Sequence, residues 1–122
     1  MKKILLIEDD KLFVRIYKNS LNKEGYETSF LENGVNAIEE AKKIKPDLIM
    51  LDLVMPVKDG FETLADLKNS PDTKEIPVFV LSALESEADV TKIKALGAKK
   101  YIFKSSNSLK VVLNEINAFL NK

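Results

Sequence analysis

The stretch Leu48-Ile49-Met50-Leu51-Asp52 decides the fold predicted for this chain. Four consecutive apolar residues closed by one carboxylate are typical of a short strand that is buried on both faces. Pro46 ends the helix that precedes the stretch, and Pro56 lies in the loop that follows it. A strand of this kind belongs inside a sheet that helices cover on both sides.

Four other stretches have the composition of strands. Residues 3–7 and 78–82 are each a continuous apolar run apart from one terminal residue, Lys3 and Ser82, whereas residues 26–30 and 100–103 are more mixed. Between and after the strands, apolar residues recur at helical spacing and predict the inner faces of five helices. These residues are Leu12, Phe13, Ile16, Tyr17 and Leu21; Val35, Ile38, Ala41 and Ile44; Phe61, Leu64 and Leu67; Ala88, Val90, Ile93 and Leu96; and Leu109, Val112, Leu113, Ile116 and Leu120.

The order of these elements predicts the fold class. The first helix is predicted at 11–24 and the fourth at 86–96, and either Ser106 or Asn107 is expected to cap the last one. Strands and helices alternate five times, which predicts an α/β fold of three layers. In this fold the (βα)5 chain forms a doubly wound, parallel five-stranded sheet with right-handed crossovers and helices on both faces.

The composition of the chain excludes several classes of protein. Its 122 residues are 45% apolar, which is enough for one compact domain with a core. The 19 basic and 19 acidic side chains balance, so no basic field for nucleic acid or an anionic membrane is expected. Because cysteine and histidine are both absent, disulfides, thiolate nucleophiles, Cys/His zinc sites and Ser-His-Asp triads are impossible.

The apolar runs of the sequence are short. None approaches the length of a membrane-spanning helix. Near the N-terminus, the run at 4–7 is interrupted by Glu8-Asp9-Asp10, which leaves it too short for the apolar region of a signal peptide. We therefore expect a cytoplasmic protein with no membrane contact.

Polar side chains close four of the five predicted strands. Glu8-Asp9-Asp10 follows the first strand, Asp52 ends the third, Ser82 ends the fourth and Lys104 follows the fifth. Ligands of open parallel sheets bind at this carboxyl edge, so we expect these groups to converge. Clustered carboxylates favour a hard divalent cation such as Mg²⁺. A metal, an ammonium and a hydroxyl form a cradle for a phosphoryl group, which a carboxylate between them can accept as an aspartyl phosphate.

Each of these residues also has an ordinary structural interpretation. An Asp at the end of a strand is usually a turn or helix-cap residue, Ser82 alone is as readily a helix cap, and Lys104 alone is more often a solvated lysine. Their coincidence at one edge of the sheet favours the functional interpretation.

Four segments, in order and at matching spacing, resemble the receiver domains of two-component response regulators. They are Ile4-Leu5-Leu6-Ile7-Glu8-Asp9-Asp10, Asp47-Leu48-Ile49-Met50-Leu51-Asp52-Leu53-Val54-Met55-Pro56 with Asp59-Gly60, Val80-Leu81-Ser82-Ala83, and Gly97-Ala98-Lys99-Lys100-Tyr101-Ile102-Phe103-Lys104. The resemblance covers the whole chain, 1–122, which is similar to a stand-alone receiver of the chemotaxis type without an output domain. It implies a flavodoxin-like strand order of 2-1-3-4-5.

The resemblance implies a Mg²⁺ site and a phosphoryl acceptor. Asp52 matches the acceptor, and Lys104 matches the lysine of the family. Glu8 and Asp9 match the acidic pair that holds Mg²⁺, Asp9 directly and Glu8 through water, and Val54 matches the position whose backbone carbonyl completes the metal shell. Asp10 matches no metal ligand and is expected to start the first helix.

The resemblance also implies a switch and its partners. Ser82 matches the hydroxyl that bonds the phosphoryl group, and Tyr101 matches the aromatic residue that turns inward when Ser82 moves. A histidine kinase or a histidine phosphotransfer protein would supply the phosphoryl group. A downstream protein would read the fourth helix and fifth strand, with the chain as a monomer or a phosphorylation-dependent dimer. The chain would act only on itself, so it is not expected to be an enzyme.

One departure from the family pattern leaves alternatives open. Members of the family usually have proline after the lysine, commonly in a cis bond, whereas Ser105 follows Lys104 here. The bond is therefore either cis at a cost of roughly 2.5–4 kcal/mol, or trans with an altered loop. The departure also supports a rival interpretation, a phosphorylation-independent interaction module of the same fold. A Mg²⁺-dependent phosphatase is the second rival, but Val54 stands where such enzymes place a second aspartate as general acid.

Overall fold

The computed structural model describes residues 1–120, in which five strands and five helices alternate. The strands are β1 (Lys3–Ile7), β2 (Glu27–Leu31), β3 (Leu48–Leu51), β4 (Val78–Ser82) and β5 (Lys100–Phe103). The helices are α1 (Lys11–Lys23), α2 (Ala37–Ile44), α3 (Gly60–Asn69), α4 (Glu87–Ala95) and α5 (Leu109–Phe119). No helix within residues 1–120 is both long enough and apolar enough to cross a membrane.

The strands form one parallel sheet in the order β2-β1-β3-β4-β5. Ile7, the last residue of β1, pairs with Leu31 of β2 and with Leu51 of β3. These strands therefore end side by side, and the residues that follow them lie along a common edge. The predicted three-layer fold and the predicted strand order are confirmed.

Alternating residues of the inner strands supply two cores, one on each face of the sheet. Leu6 and Met50 contribute to the core under α1 and α5, which we call the α1/α5 core. Leu5 and Ile49 contribute to the core under α2, α3 and α4, which we call the α2/α3/α4 core. Burial on both faces explains why β1, β3 and β4 are continuous apolar runs, since each such side chain stabilises the fold by about 1.5–3 kcal/mol.

Asp10 starts α1, as predicted. Its Oδ1 accepts hydrogen bonds from the backbone N–H groups of Leu12 at 3.0 Å and Phe13 at 3.2 Å. These bonds pair two of the N–H groups that the first turn of a helix leaves without a partner. On the far side of the same helix, Leu12 and Ile16 are exposed although their spacing predicted an inner face, because Val14, Tyr17 and Leu21 occupy the buried side.

Two predicted boundaries are wrong for local hydrogen-bonding reasons. β2 begins at Glu27, not at Tyr26, because the N–H of Tyr26 donates to the Leu21 carbonyl at the end of α1 and does not join the sheet. α5 is capped by Ser108, whose Oγ accepts from the Val111 N–H at 3.3 Å, and not by Ser106 or Asn107. The side chain of Asn107 instead donates to the Phe103 carbonyl at 2.9 Å and closes the turn after β5.

α2 begins after Val35, the first residue predicted on its inner face. The Asn33 side chain accepts a hydrogen bond from the Val35 N–H at 2.9 Å, and this local turn keeps residues 33–36 out of the helix. The helix begins at Ala37, and the side chain of Val35, predicted on the inner face, is exposed. Ala37 and Ala41 are the buried residues of this helix.

Candidate functional site

Three carboxylates lie together at the carboxyl edge of the sheet. Glu8 follows β1 and Asp52 follows β3, and the Asp52 N–H donates to the Ile7 carbonyl at 3.0 Å. Oxygen atoms of Glu8, Asp9 and Asp52 lie within 4.8 Å of one another. Glu8 and Asp52 are buried, whereas Asp9 is exposed, so the cluster opens to solvent on the side of Asp9.

The backbone around Asp52 is held in place by a close approach of the loop before α3. The Gly60 N–H donates to the Leu53 carbonyl at 2.9 Å. A Cβ atom at Gly60 would lie 2.3 Å from the Asp52 carbonyl oxygen and 2.6 Å from the Leu53 Cα, so only glycine fits. Asp59 caps the helix by accepting from the Glu62 N–H at 2.9 Å. The start of α3 therefore fixes the end of β3.

Lys104 reaches back from the end of β5 to this cluster. Its Nζ lies 2.6 Å from Glu8 Oε1 and 3.7 Å from Asp52 Oδ2. Its own backbone N–H donates to the Ser82 carbonyl at 2.9 Å, which continues the ladder between β4 and β5. Residues 1–120 contain no cis peptide bond, so the Lys104–Ser105 bond is trans, and the lysine side chain still points into the site.

Burial and neighbouring groups change the acidity of the two buried carboxyl groups. Burial raises the pKa of Glu8 to about 7, and the neighbouring charge of Asp52 adds to this rise, while the hydrogen bond from Lys104 opposes it. Burial also raises the pKa of Asp52, while Lys104 and the Leu53 N–H, 2.9 Å from Asp52 Oδ1, favour the ionised form. One ammonium does not compensate these carboxylates fully, so the cluster attracts further positive charge.

Ser82 and Tyr101 lie beside the cluster without bonding to it. Ser82 is completely buried, and its Oγ accepts a hydrogen bond from the Leu84 N–H at 3.2 Å. The Tyr101 hydroxyl donates to the Leu84 carbonyl at 2.6 Å, and burial raises the pKa of Tyr101. Within residues 1–120, no hydrogen bond joins Asp52 to either residue. Both instead contact the loop between β4 and α4.

The side chain of Val54 is largely exposed. It is 58% exposed, and its backbone N–H lies close enough to Asp52 to favour the ionised carboxylate. Because a valine side chain has no polar atom, only the backbone of Val54 can bind a ligand, and the metal-shell role of its carbonyl stays a prediction.

Two features of the site were not predicted from the sequence. The Phe13 ring lies beneath the Lys104 ammonium, with 4.4 Å between Nζ and the ring centroid. Ser105 donates a hydrogen bond from its hydroxyl to the Glu85 carboxylate and so joins the loop after β5 to the loop before α4. Helical spacing placed Phe13 correctly on α1, but no sequence signal pairs two residues that lie this far apart in the chain.

The fold and the site define the class of protein: a doubly wound α/β domain with an acidic pocket at the carboxyl edge of its sheet. Residues 4–115 match the response regulator receiver domain family. The chain belongs to this family, whose members act in two-component phosphorelay signalling. The family expected from the four sequence segments is confirmed.

Relatives and solved structures agree with this assignment. The chain is 31% identical over 103 residues to the polar-differentiation response regulator DivK of Brucella anthropi, and the match covers 84% of each chain. It is similar to the Vibrio cholerae chemotaxis protein CheY4, with 26% identity, a TM-score of 0.88 and coverage of 97% of this chain and 98% of that one. It is also similar to the Mn²⁺-bound form of the response regulator Rcp1, with 34% identity, a TM-score of 0.84 and coverage of 98% and 94%.

Proposed function

We propose that Asp52 accepts a phosphoryl group, in a Mg²⁺-dependent reaction, from a phosphohistidine on a histidine kinase or a histidine phosphotransfer protein. The observation that carries this proposal is the position of the Asp52 carboxylate, which has oxygens of two other carboxylates within 4.8 Å and the Lys104 Nζ 3.7 Å away. A carboxylate that has both a cation site and an ammonium close by is suited to attack phosphorus. Family membership supports the same reaction class.

The acidic cluster fits a hard divalent cation. The donor atoms are all carboxylate oxygens, and burial raises the pKa of both Glu8 and Asp52, which a bound cation would reverse. Asp9 and Asp52 would bind Mg²⁺ directly, Glu8 through water and Val54 through its carbonyl. When bound, Mg²⁺ supplies positive charge that neutralises the carboxylates and the incoming phosphoryl oxygens. The Mn²⁺-bound relative Rcp1 supports a divalent ion in a domain of this kind.

The residues of this chain carry the steps of the transfer. An Asp52 oxygen forms a bond to phosphorus in line with the phosphorus–nitrogen bond, which breaks as the imidazole leaves with its electron pair. The Lys104 ammonium neutralises charge on the phosphoryl oxygens. The chain has no histidine or cysteine that could take part in the transfer. In the proposed cycle Asp52 takes the phosphoryl group from the partner and later loses it to water. We therefore propose that the chain is not an enzyme for external substrates.

The phosphoryl group would then bias a switch. Ser82 would turn its hydroxyl toward the phosphoryl oxygens and give up its hydrogen bond with the Leu84 N–H. Tyr101 holds the same loop through the Leu84 carbonyl, so a change at Ser82 moves both the tyrosine and the start of α4. We propose that a downstream protein reads this surface of α4 and β5. We further propose that residues 1–122 work as one receiver domain in the cytoplasm, as a monomer or a phosphorylation-dependent dimer.

Incubation with phosphoramidate and Mg²⁺, followed by intact-mass measurement, tests the proposal. We expect one phosphoryl group per chain in the wild type and in the control Asp72→Asn, and none in Asp52→Asn or with EDTA. Asp72 is a suitable control because it lies on the surface and pairs with Lys42 at 3.4 Å. Absence of incorporation in the folded wild type would favour the phosphorylation-independent module, and turnover of free phosphate esters would favour the phosphatase.

A further inference from the structure

We propose that Phe13 is a positioning residue for the phosphoryl-transfer reaction, because its ring face holds the Lys104 ammonium beside Asp52. This inference rests on the function proposed above. The Lys104 Nζ lies 4.4 Å from the centroid of the Phe13 ring, within the distance at which an aromatic face attracts a cation. The same ammonium lies close to Glu8 and Asp52, so the ring and the two carboxylates together define its position.

The Phe13 ring is itself fixed by packing. It stacks on the ring of Tyr17, with centroids 4.3 Å apart and planes inclined by 15°. Tyr17 is buried in the α1/α5 core, and the N–H of Phe13 is tied to the cap residue Asp10 at 3.2 Å. A ring held in this way presents one face in one place, which is what a positioning group requires.

Lys104 needs such a support because its side chain is flexible and its loop is unusual. Four rotatable bonds separate the ammonium from the backbone, which is anchored to β4 through the Ser82 carbonyl at 2.9 Å. The next residue is Ser105 in a trans peptide, so the loop beyond Lys104 is held by a side-chain contact with Glu85 and not by a proline ring. The side chain of Lys104 must therefore be oriented by what it touches.

An aromatic face is suited to this task in a way that a carboxylate is not. A third carboxylate would hold the ammonium more strongly, but it would also accept its N–H groups and compete with the phosphoryl oxygens. The ring attracts the positive charge without accepting a conventional hydrogen bond, so it occupies none of the three donors of the ammonium. When the phosphoryl group arrives, Lys104 can turn donors from Glu8 toward it while it stays over the ring.

The position of the ammonium can be observed by nuclear magnetic resonance on uniformly ¹³C,¹⁵N-labelled protein. The Lys104 Nζ lies over the face of the Phe13 ring, so protons on the adjacent ε-carbon should resonate upfield of those of other lysines. We expect this upfield shift to persist in Phe13→Tyr and to disappear in Phe13→Leu, which keeps the apolar contact but loses the ring. If the wild-type shift is ordinary, or if it is the same in Phe13→Leu, the inference is wrong.

The rate of phosphoryl uptake from phosphoramidate at saturating Mg²⁺ tests the functional half of the inference. We expect Phe13→Leu to lower the rate by about 5- to 30-fold, the range that corresponds to a partly desolvated cation–aromatic contact. Phe13→Tyr, which keeps the ring, should have the wild-type rate. Phe30→Leu is the matched control, because Phe30 also lies near a lysine, with 5.3 Å between the Lys18 Nζ and its ring centroid, and that lysine is not Lys104. An equal loss in Phe30→Leu would contradict the inference.

A double-mutant comparison separates positioning from general packing. In a Lys104→Ala background, Phe13→Leu should cause no further loss of rate, since the group it positions is gone. If Phe13→Leu lowers the rate as much in Lys104→Ala as it does when Lys104 is present, Phe13 acts through packing alone. If Phe13→Leu unfolds, Phe13→Met, with a longer apolar side chain, replaces it in each measurement.

Failure of the inference and failure of the proposed function have different signatures. Wild type that takes up phosphate, with Phe13→Leu equally fast, overturns the inference and leaves the function standing. Folded wild type that takes up no phosphate overturns the function, and the resonance of Lys104 then still decides whether Phe13 positions the ammonium.

Discussion

Glu8 illustrates how a buried carboxylate can be tolerated without being stabilising. Its side chain is 2% exposed, and its partners are the Lys104 ammonium at 2.6 Å and the Asp10 N–H at 3.1 Å. These contacts do not compensate for the loss of water, because burial still raises its pKa to about 7. In the metal-free protein, an ionised Glu8 therefore weakens the fold, and this cost is consistent with a residue retained for binding a cation.

The first prediction concerns the dependence of stability on pH. The pKa of Glu8 is about 7 when folded and near its ordinary value of 4.5 when unfolded, so the folded state retains a proton that the unfolded state releases. The stabilising effect of this proton is fully present below about pH 4.5 and is lost as the pH rises to about 7. Urea unfolding in EDTA should show the free energy of unfolding of the wild type falling by roughly 2–3 kcal/mol relative to Glu8→Gln over this range.

Two controls accompany that measurement. Added Mg²⁺ should flatten the slope of the wild type, because a bound cation stabilises the ionised carboxylates. A difference between wild type and Glu8→Gln that stays constant between pH 4.5 and 7 in EDTA would contradict the prediction.

At the scale of elements, the loop between β3 and α3 holds a strained turn. The Lys58 N–H donates to the Pro56 carbonyl at 2.7 Å, and Val57 between them has a φ of 69°. This is the geometry of a γ-turn with a left-handed central residue, which a β-branched side chain strongly disfavours. The ion pair between Lys58 and Asp66 of α3 ties the turn down, so the helix that fixes Asp52 also holds the strain.

The second prediction follows from that turn. Val57 is 87% exposed, so replacing it removes no core contact. Asparagine tolerates the left-handed region, and Val57→Asn should raise the free energy of unfolding by about 0.5–1.5 kcal/mol in urea titration. The control Val35→Asn, at another exposed loop valine that has no positive φ, should not stabilise the domain. An equal gain in both variants would show that lost surface hydrophobicity, and not relief of strain, is responsible.

Apolar runs predicted β1 and β4 with correct bounds, because a strand buried on both faces has no polar residue until it ends. β2 lies at the edge of the sheet, so its mixed sequence left its start uncertain by one residue. The cap of α5 was misassigned because Ser106, Asn107 and Ser108 are all chemically able to cap a helix, and only the turn after β5 decides among them. Polar strand ends predicted the carboxylate cluster and Lys104, whereas the ring of Phe13 beside Lys104 depends on the contact between α1 and the residue that follows β5.

At the scale of the whole molecule, the sheet separates two cores and also joins them. Ile116 of α5 is completely buried in the α1/α5 core, and Ile93 of α4 is completely buried in the α2/α3/α4 core. Neighbouring residues of the inner strands, such as Leu5 and Leu6, serve opposite cores. Because the same strands supply both cores, unfolding of one core disrupts the strands that the other core needs. The domain is therefore expected to unfold as one unit.

The third prediction uses this arrangement. Ile93→Val and Ile116→Val each remove one buried methylene, and each should lower the free energy of unfolding by about 0.5–1.5 kcal/mol. The sheet lies between the two positions, so the double variant should show the sum of the two losses, with one transition and an unchanged denaturant slope. A second transition, or a coupling energy well above 0.5 kcal/mol, would contradict the single cooperative unit.

The close approach at Gly60 has a consequence for sequence variation. Any side chain there must displace the backbone of Asp52 and Leu53, since a Cβ would lie 2.3 Å from the Asp52 carbonyl oxygen. In a library randomised at position 60 and sorted for phosphoryl uptake, only glycine codons should survive, although glycine has no functional group and touches no ligand. A search for residues with reactive side chains would overlook position 60. The placement of the acceptor nevertheless depends on a hydrogen atom there in place of a side chain.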